Sequence, residues 1–207
     1  MPDLSFEISL QAQGLNVIAG VDEAGRGPLA GPVAAAAVIL PLSFVCQGLN
    51  DSKKLSPAKR DELYGRLTGD KAVIWSLAYA GVEEIDEINI LRATHVAMAR
   101  AVGGLGVAVD HCLIDGLPMR GFPWPHEGIV KGDGLSLSIA AASVIAKVSR
   151  DRVMLEYARE FPQYGFERHM GYGTKEHLEA LRIHGPCRIH RRSFQPVAQL
   201  SLPFGGA

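Results

Sequence analysis

The chain has 207 residues, 47% of them hydrophobic, and its 21 basic and 22 acidic residues give a net charge of -1. This length predicts one domain over residues 1–207, and the balanced charge excludes a global positive field that would attract a polyanion. Three dispersed cysteines form no C-x-x-C pair, and no apolar stretch approaches the roughly 20 residues of a membrane helix. We therefore expect a cytoplasmic protein without a disulfide framework or a membrane segment.

The first apolar run, residues 17–21, has the length and β-branched content of a strand and ends at the adjacent acids Asp22 and Glu23. Neighbouring side chains on a strand point to opposite faces, so both acids reach one site only if the backbone twists or bulges there. A solvated turn is the alternative. Glycine on both sides of Arg26 leaves backbone amides open to a phosphate or sugar, and the absence of a following Lys-Ser or Lys-Thr excludes a P-loop.

Residues 33–40, VAAAAVIL, are apolar on both faces and predict a strand inside a sheet. Ser56 is predicted to cap a charged helix that begins at Pro57 and ends near Leu67. A first basic cluster lies in this region, and it indicates either contact with nucleic acid or an ordinary solvated surface. Its members are Lys53, Lys54, Lys59 and Arg60.

Residues 71–79 predict another strand, and apolar residues at steps of three and four then predict an amphipathic helix. The stripe consists of Ile88, Leu91, His95, Met98 and Val102. A ligand role for His95 is conceivable, but we interpret it as a packed residue whose ring nitrogen is hydrogen-bonded to a neighbour.

A second predicted strand also ends in an acid, because residues 111–114 are followed by Asp115 and glycine. Sites gather at the carboxyl ends of strands in sheets covered by helices, so Asp22 and Asp115 are expected to meet. Residues 117–127 predict a loop. We expect Trp124 to anchor this loop to the core, and stacking on a nucleic-acid base is the alternative. Asp133 lies just before a long helix predicted over residues 137–160, where a helix cap or a position near the cap is the alternative to a site role.

The C-terminal region predicts a short helix with Thr174 as its cap, after a tyrosine, Tyr172, between two glycines. A second basic cluster follows and is expected, with the first, to hold a nucleic-acid strand. Its members are Arg188, His190, Arg191 and Arg192.

Converging carboxylates repel one another, and a divalent metal removes that repulsion. Oxygen ligands favour Mg²⁺ or Mn²⁺, and a pair of such ions about 3.5 to 4 Å apart can activate water and stabilise the leaving oxygen of a phosphodiester. Together with the glycine loop and the basic clusters, this chemistry indicates a nuclease. Phosphatases and phosphotransferases also carry carboxylates at strand ends and stay open as alternatives.

Eight stretches, in this order, resemble bacterial ribonuclease HII and cover nearly the whole chain. They are GVDEAGRGPLAGPV at 20–33, LNDSKKLS at 49–56, EIDEINILRATHVAM at 84–98, LIDG at 113–116, VKGD at 130–133, SIAAASVIAKVSRD at 138–151, FPQYGFERHMGYGT at 161–174 and HRRSF at 190–194. The combination of D-E-x-G-R-G with a later I-D-G and K-G-D is highly specific.

The resemblance implies an α/β fold of the ribonuclease H type. Such a fold has a mixed five-stranded sheet flanked by helices, here over about 15–160, and a helical C-terminal part over about 161–197. The implied enzyme is a monomeric endonuclease whose substrates are RNA–DNA hybrids and duplex DNA containing ribonucleotides. It hydrolyses the RNA strand and nicks 5′ of single ribonucleotides with a divalent metal, Mn²⁺ or Mg²⁺, leaving 5′-phosphate and 3′-hydroxyl ends. A non-catalytic binder of hybrids is the alternative outside the enzymes.

The resemblance also implies roles for single residues. The catalytic and metal-binding acids are Asp22, Glu23, Asp115 and Asp133. The loop of Gly25, Arg26 and Gly27 senses the ribose 2′-hydroxyl, which distinguishes RNA from DNA. Tyr172 stacks on the deoxyribose 3′ of the ribonucleotide, and Lys53, Ser143 and Lys147 lie near the substrate phosphates. Met170 departs from the family's H-K-G-Y, which removes a basic contact beside Tyr172.

Overall fold

The structure is a computed structural model that describes residues 1–200. Its five strands form one sheet in the order β3-β2-β1-β4-β5. The strands are β1 (Ile18–Ala24), β2 (Val33–Ile39), β3 (Ile74–Ala80), β4 (His111–Asp115) and β5 (His126–Ile129). β1 pairs antiparallel with β2 and parallel with β4, β2 pairs antiparallel with β3, and β4 pairs parallel with β5. The predicted mixed five-stranded sheet is confirmed.

Helices cover this sheet and build the C-terminal part. Over residues 1–200 the α-helices are α1 (Ser5–Gln11), α2 (Pro57–Gly69), α3 (Val82–Gly103), α4 (Leu137–Glu160), α5 (Phe166–His169), α6 (Lys175–His184) and α7 (Val197–Leu200). Short 3₁₀ turns lie at Ser52–Lys54, Gly132–Gly134 and Pro162–Tyr164. The predicted helical C-terminal part is thus confirmed. Within the described chain, none of the helices combines the length and apolar character that crossing a bilayer requires.

The central strand β2 explains why helices lie on both faces of the sheet. Successive strand residues point to opposite faces, and every residue from Val33 to Val38 is buried. Ala36 and Val38 join the core formed with α2 and α4, whereas Ala35 and Ala37 join the core formed with α3. The prediction that residues 33–40 lie inside a sheet is confirmed, because this strand has helices on both faces and strands on both edges.

Helix α4 packs very close to β1, and Gly20 permits this approach. A Cβ atom built on Gly20 would lie 2.2 Å from the backbone carbon of Ser138 and 2.4 Å from the backbone nitrogen of Ile139. The first turns of α4 are alanine-rich and buried, so they add little bulk at the contact. The close approach brings the start of α4 beside the strand that carries Asp22.

Helix caps follow the sequence closely at three sites. Ser56 accepts a hydrogen bond from the Lys59 N–H, and Thr174 accepts one from the His177 N–H, as predicted. The long helix spans the predicted residues 137–160, but its cap is Ser136, whose side chain accepts from the Ile139 N–H. Asp133 lies in the preceding 3₁₀ turn, so it is not the helix cap, although it lies near the start of the helix.

Two features of the fold differ from the predictions. Residues 126–127 belong to β5, not to the predicted loop, because a four-residue edge strand with two polar residues has no clear apolar pattern. The amphipathic helix is interrupted at Asn89, which has φ 67° and accepts the N–H groups of Leu91 and Arg92. This interruption turns Leu91 outward to 51% exposure, so its predicted place on the apolar stripe is wrong.

Candidate active site

Three of the four predicted acids meet at the carboxyl end of the sheet. Asp22, Asp115 and Asp133 each offer a carboxylate oxygen, and these oxygens lie within 4.8 Å of one another. The parallel register of β1 and β4 places Val21 opposite Ile114, so Asp22 and Asp115 follow at adjacent positions. Asp133 arrives from the Gly132–Gly134 turn, which follows the neighbouring strand β5. The sequence argument for two strands ending in acids therefore agrees with the geometry.

Backbone amides hold two of these acids in place. The Glu23 N–H donates to Asp22 Oδ1 at 2.7 Å, and the Gly132 N–H donates to Asp115 Oδ1 at 2.7 Å. The second bond ties the strand end at Asp115 to the turn that carries Asp133. Lys53 Nζ lies 4.0 Å from Asp133 Oδ2 in this turn.

Burial and mutual repulsion disfavour the charged form of the cluster. The pKa of Asp22 is raised well above its usual value, mainly by burial and then by Glu23 and Asp115, while hydrogen bonds from Glu23 and Ser143 act in the opposite direction. Burial, followed by the charges of Asp115 and Asp51, raises the pKa of Asp133 to about 6. A divalent cation would remove this repulsion, and an oxygen-only donor set suits Mg²⁺ or Mn²⁺.

Glu23 lies beside the three acids but outside their cluster. Pairing between β1 and β2 stays regular through Ala24, so no bulge turns Glu23 to the side of Asp22. Its carboxylate forms an ion pair with Arg26 at 3.5 Å. Burial raises the pKa of Glu23, and Asp115 adds to this shift while Arg26 opposes it. The role of Glu23 as a metal ligand stays a prediction.

All the residues predicted to bind substrate line one cleft of about 760 Å³ next to Glu23. They are Gly25, Arg26, Gly27, Lys53, Ser143, Lys147 and Tyr172. The Tyr172 side chain is 46% exposed, and a Cβ on Gly27 would lie 3.6 Å from its ring. Gly27 of the glycine loop therefore lies directly beside the tyrosine ring. Their roles in binding substrate stay predictions.

Two buried arginines shape the glycine loop. Arg191 donates to the carbonyl oxygens of Gly25, Arg26 and Gly31 at 2.5, 2.8 and 3.0 Å. Arg150 donates to Ala30 and Pro32 of the same loop at 3.1 and 2.9 Å. Gly25 has φ +98°, and a Cβ there would overlap the Arg150 guanidinium, so only glycine fits.

The inward carbonyls direct two amides outward. In a trans peptide the N–H points away from the preceding C=O, so the N–H groups of Arg26 and Gly27 face away from Arg191. Over residues 1–200 neither group has an acceptor. The loop thus offers two unpaired donors beside the cleft, as expected for a segment that approaches a sugar or phosphate.

The basic clusters are used differently from the prediction. Arg191 and His190 of the second cluster are buried, so the interpretation of this cluster as a nucleic-acid surface is wrong for these two residues. Arg188 is exposed and pairs with Glu160, so its role stays a prediction. Arg191 is buried because it donates to backbone carbonyl groups, and such acceptors cannot be recognised from the sequence. In the first cluster, Lys53 and Arg60 line the cleft, whereas Lys59 pairs with Glu62.

Further residues beside the site were not predicted. Asp51 accepts a hydrogen bond from the Lys53 N–H, and its charge raises the pKa of Asp133. Its position two residues before Lys53 was the only hint of this role in the sequence. His95 lines a second cavity of about 400 Å³ together with Glu23 and Asp115. Over the described residues its ring has no hydrogen-bond partner, so the expected bond to a neighbour is not present.

Trp124 packs against Phe122 and the α3 core, which confirms that it anchors its loop.

The ribonuclease HII family model matches residues 19–197. The chain belongs to the ribonuclease HII family. Its sequence is 51% identical to ribonuclease HII of Bacillus anthracis over 195 residues, covering 94% of this chain and 75% of that protein. It is 54% identical to ribonuclease HII of Ruegeria sp. over 200 residues, covering 96% of this chain and 86% of the relative.

Solved structures of more distant relatives share the fold. The complex of PCNA and ribonuclease HII from Archaeoglobus fulgidus matches with a TM-score of 0.72 at 24% identity, covering 86% of this chain and 95% of the other. Ribonuclease H2 of Pyrococcus horikoshii matches with a TM-score of 0.69 at 23% identity, covering 88% and 96%. Bst-RNase HIII in complex with Mn²⁺ matches with a TM-score of 0.63 at 16% identity, covering 81% and 70%.

Family membership establishes the class of enzyme. As a member of this family, the protein is a hydrolase that acts on the RNA of RNA–DNA hybrids. Enzymes of the ribonuclease H type use divalent metals, and the cluster of Asp22, Asp115 and Asp133 is compatible with such a site.

Proposed function

We propose that this protein also nicks duplex DNA on the 5′ side of a single embedded ribonucleotide and leaves 5′-phosphate and 3′-hydroxyl ends. One observation carries this proposal. A compact cluster of carboxylate oxygens lies beside a cleft that contains both a loop with unpaired amides and a half-exposed tyrosine. The site thus offers places for a scissile phosphate, one 2′-hydroxyl and the next sugar.

Asp22, Glu23, Asp115 and Asp133 are the proposed ligands of Mg²⁺ or Mn²⁺. Their fit follows from the donor set, which is made only of carboxylates and whose members Asp22 and Asp133 resist ionisation in the free protein. Such ions, when bound, activate the attacking water and stabilise the leaving oxygen of the phosphodiester. The chain itself orients the acids through the amides of Glu23 and Gly132.

The loop of Gly25, Arg26 and Gly27 is proposed to select the ribonucleotide. Its outward N–H groups can donate to the 2′-hydroxyl, and a deoxyribose would leave such a donor without its acceptor. Tyr172 is proposed to stack on the deoxyribose that follows. A site that requires one ribose and then accepts DNA fits isolated ribonucleotides as well as long hybrids.

Lys53, Ser143 and Lys147 are proposed to hold the substrate phosphates on the opposite wall of the cleft. The hydroxyl oxygens of Ser143 and Ser52 lie 2.8 Å apart, and the Lys147 ammonium is held by Asp151 at 2.7 Å. Met170 contributes no charge beside Tyr172 and packs on the C-terminal core. We therefore expect a salt dependence of binding smaller by about one phosphate contact than with a lysine there.

The test is cleavage of a DNA duplex with one ribonucleotide, with Mg²⁺ or Mn²⁺ added separately. Asp22→Asn is expected to reduce the rate by about a thousandfold or more, because the central ligand loses its charge. Asp61→Asn is the control, since that acid is exposed and pairs only with Arg152. The unmodified protein should cut directly 5′ of the ribonucleotide.

Three outcomes would contradict the proposal. Full activity in Asp22→Asn would remove the proposed site. Turnover of a small phosphomonoester in place of the duplex would favour a phosphatase. Tight binding of the duplex without cleavage in Mn²⁺ would favour a non-catalytic binder.

A further inference from the structure

Three buried histidines lie beneath Tyr172. His169, His177 and His190 are at most 7% exposed, and the rings of His169 and His177 stack with centroids 4.6 Å apart. Phe166 packs against all three rings. Over the described residues no histidine forms an ion pair with an acid; Glu176 is close enough to His169 for their charges to interact.

The hydrogen bonds determine which nitrogen of each ring carries hydrogen. His177 Nδ1 lies 2.9 Å from the Tyr172 carbonyl oxygen, which only accepts, so Nδ1 carries the hydrogen and Nε2 must accept. His190 Nε2, 3.0 Å away, is therefore the donor to His177. His190 Nδ1 in turn accepts the Cys187 N–H at 2.9 Å. These three hydrogen bonds can form together only when the His177 and His190 rings are both neutral.

The same histidines bind both peptide groups around Tyr172. The Tyr172 N–H donates to the His169 carbonyl at 2.9 Å, and the Tyr172 carbonyl accepts from His177. The Gly171 N–H donates to His169 Nδ1 at 3.2 Å, while His169 Nε2 is bound to the Tyr164 carbonyl. The backbone of Tyr172 is thus held from below, while its ring stands free at the cleft.

We infer that His177, oriented by His190, is a positioning residue that sets the Tyr172 ring at the height where the substrate sugar stacks. The inference rests on the proposed role of Tyr172. His177 does not line the cleft, so its effect on the reaction passes through the tyrosine. A histidine that merely stabilised the C-terminal core would affect unfolding but not substrate affinity.

Two substitutions separate these roles because each retains one nitrogen position. His177→Asn keeps a donor near the place of Nδ1 and is expected to leave the KM for the one-ribonucleotide duplex within about threefold. His177→Gln keeps a polar group near Nε2 and loses the bond to Tyr172. We expect His177→Gln to raise KM about tenfold with kcat nearly unchanged, since a misplaced ring weakens binding. Equal KM values for the two variants would overturn the inference.

A double-mutant cycle tests whether the effect passes through the tyrosine. In a Tyr172→Ala background, His177→Gln should raise KM no further, because no ring is left to position. A full tenfold effect in that background would overturn the inference alone. If Tyr172→Ala by itself leaves KM unchanged, the proposed stacking fails and the inference fails with it, so the two failures are distinguishable.

Nitrogen NMR of the unmodified protein gives a test that does not depend on a variant folding. At pH 7 the His177 ring should be neutral with hydrogen on Nδ1, and the His190 ring neutral with hydrogen on Nε2. The opposite tautomer at His177 would mean that the bond to Tyr172 does not exist, and a charged ring would mean that Nε2 does not accept from His190. Either result would overturn the inference.

Discussion

At the scale of single residues, Arg150 and Arg191 show how a buried charged group holds the glycine loop in place. Both are buried, and over residues 1–200 neither forms an ion pair. Burial, and then Arg150, lower the pKa of Arg191 to about 9, which still leaves it charged at neutral pH. Six carbonyl oxygens replace the missing carboxylates, five of them from residues 25–32. The conformation of the glycine loop therefore depends on hydrogen bonds from the guanidinium groups of Arg150 and Arg191.

Arg191→Lys tests this dependence, because a single ammonium cannot match three carbonyls spread over a planar fork. We expect a loss of about 2 to 4 kcal/mol in the free energy of unfolding and a lower kcat/KM on the one-ribonucleotide duplex. Urea unfolding and cleavage kinetics measure the two effects. The neighbouring Arg192→Lys is the control, since Arg192 is exposed and only its backbone N–H bonds to Asp86. Similar losses in both variants would contradict the role of the fork.

At the scale of elements, the distance between β1 and α4 decides where Asp22 and Ser143 lie relative to each other. Strand β1 enters this contact through Gly20, two residues before Asp22, and α4 enters it through Ser138 and the alanines that follow. At this point the α4 backbone and the small Ser138 side chain lie directly against Gly20. The close approach buries Asp22 and thereby contributes to its raised pKa.

Gly20→Ala is expected to destabilise the protein by about 2 to 3 kcal/mol, because the added Cβ would overlap the backbone of α4. Gly65→Ala is the matched control. Gly65 lies inside α2 with nothing within 4 Å of an added Cβ, so alanine should stabilise by about 0.5 to 1 kcal/mol. Opposite signs in urea unfolding would support the close approach, and a neutral Gly20→Ala would exclude it.

The same scale shows what the sequence predicts and what it leaves out. Periodicity and capping residues locate β2, α2 and α4 well, because each has a long apolar run or a strong cap. The edge strand β5 and the interruption at Asn89 were missed, since both depend on contacts with distant segments or on a side chain turning back on its own backbone. The convergence of Asp22 and Asp115 was predictable from strand order, whereas the inward turn of Arg191 was not.

At the scale of the whole molecule, two groups of buried titratable residues respond to pH in opposite directions. Burial, and then other histidines of the group, lower the pKa of His177 and His190 to about 4. These rings titrate near 6.5 in the unfolded chain, which therefore binds more protons between pH 4 and 6.5. This term makes the free energy of unfolding rise with pH over that range. Asp133, with its pKa raised from 3.8 to about 6, contributes a fall with pH between those values, and Asp22 acts in the same sense.

A bound divalent metal should remove the pH response of Asp22 and Asp133 and leave that of His177 and His190. Binding requires ionised carboxylates, so Mg²⁺ or Mn²⁺ should add little stability at pH 4.5. At pH 7 the gain should reach about 2.7 kcal/mol when the free metal is 100 times its Kd. Urea unfolding with metal or with EDTA, repeated over this pH range, measures the difference. Asp22→Asn should abolish it, and a metal gain that is equal at both pH values, or that persists in Asp22→Asn, would place the bound ion elsewhere.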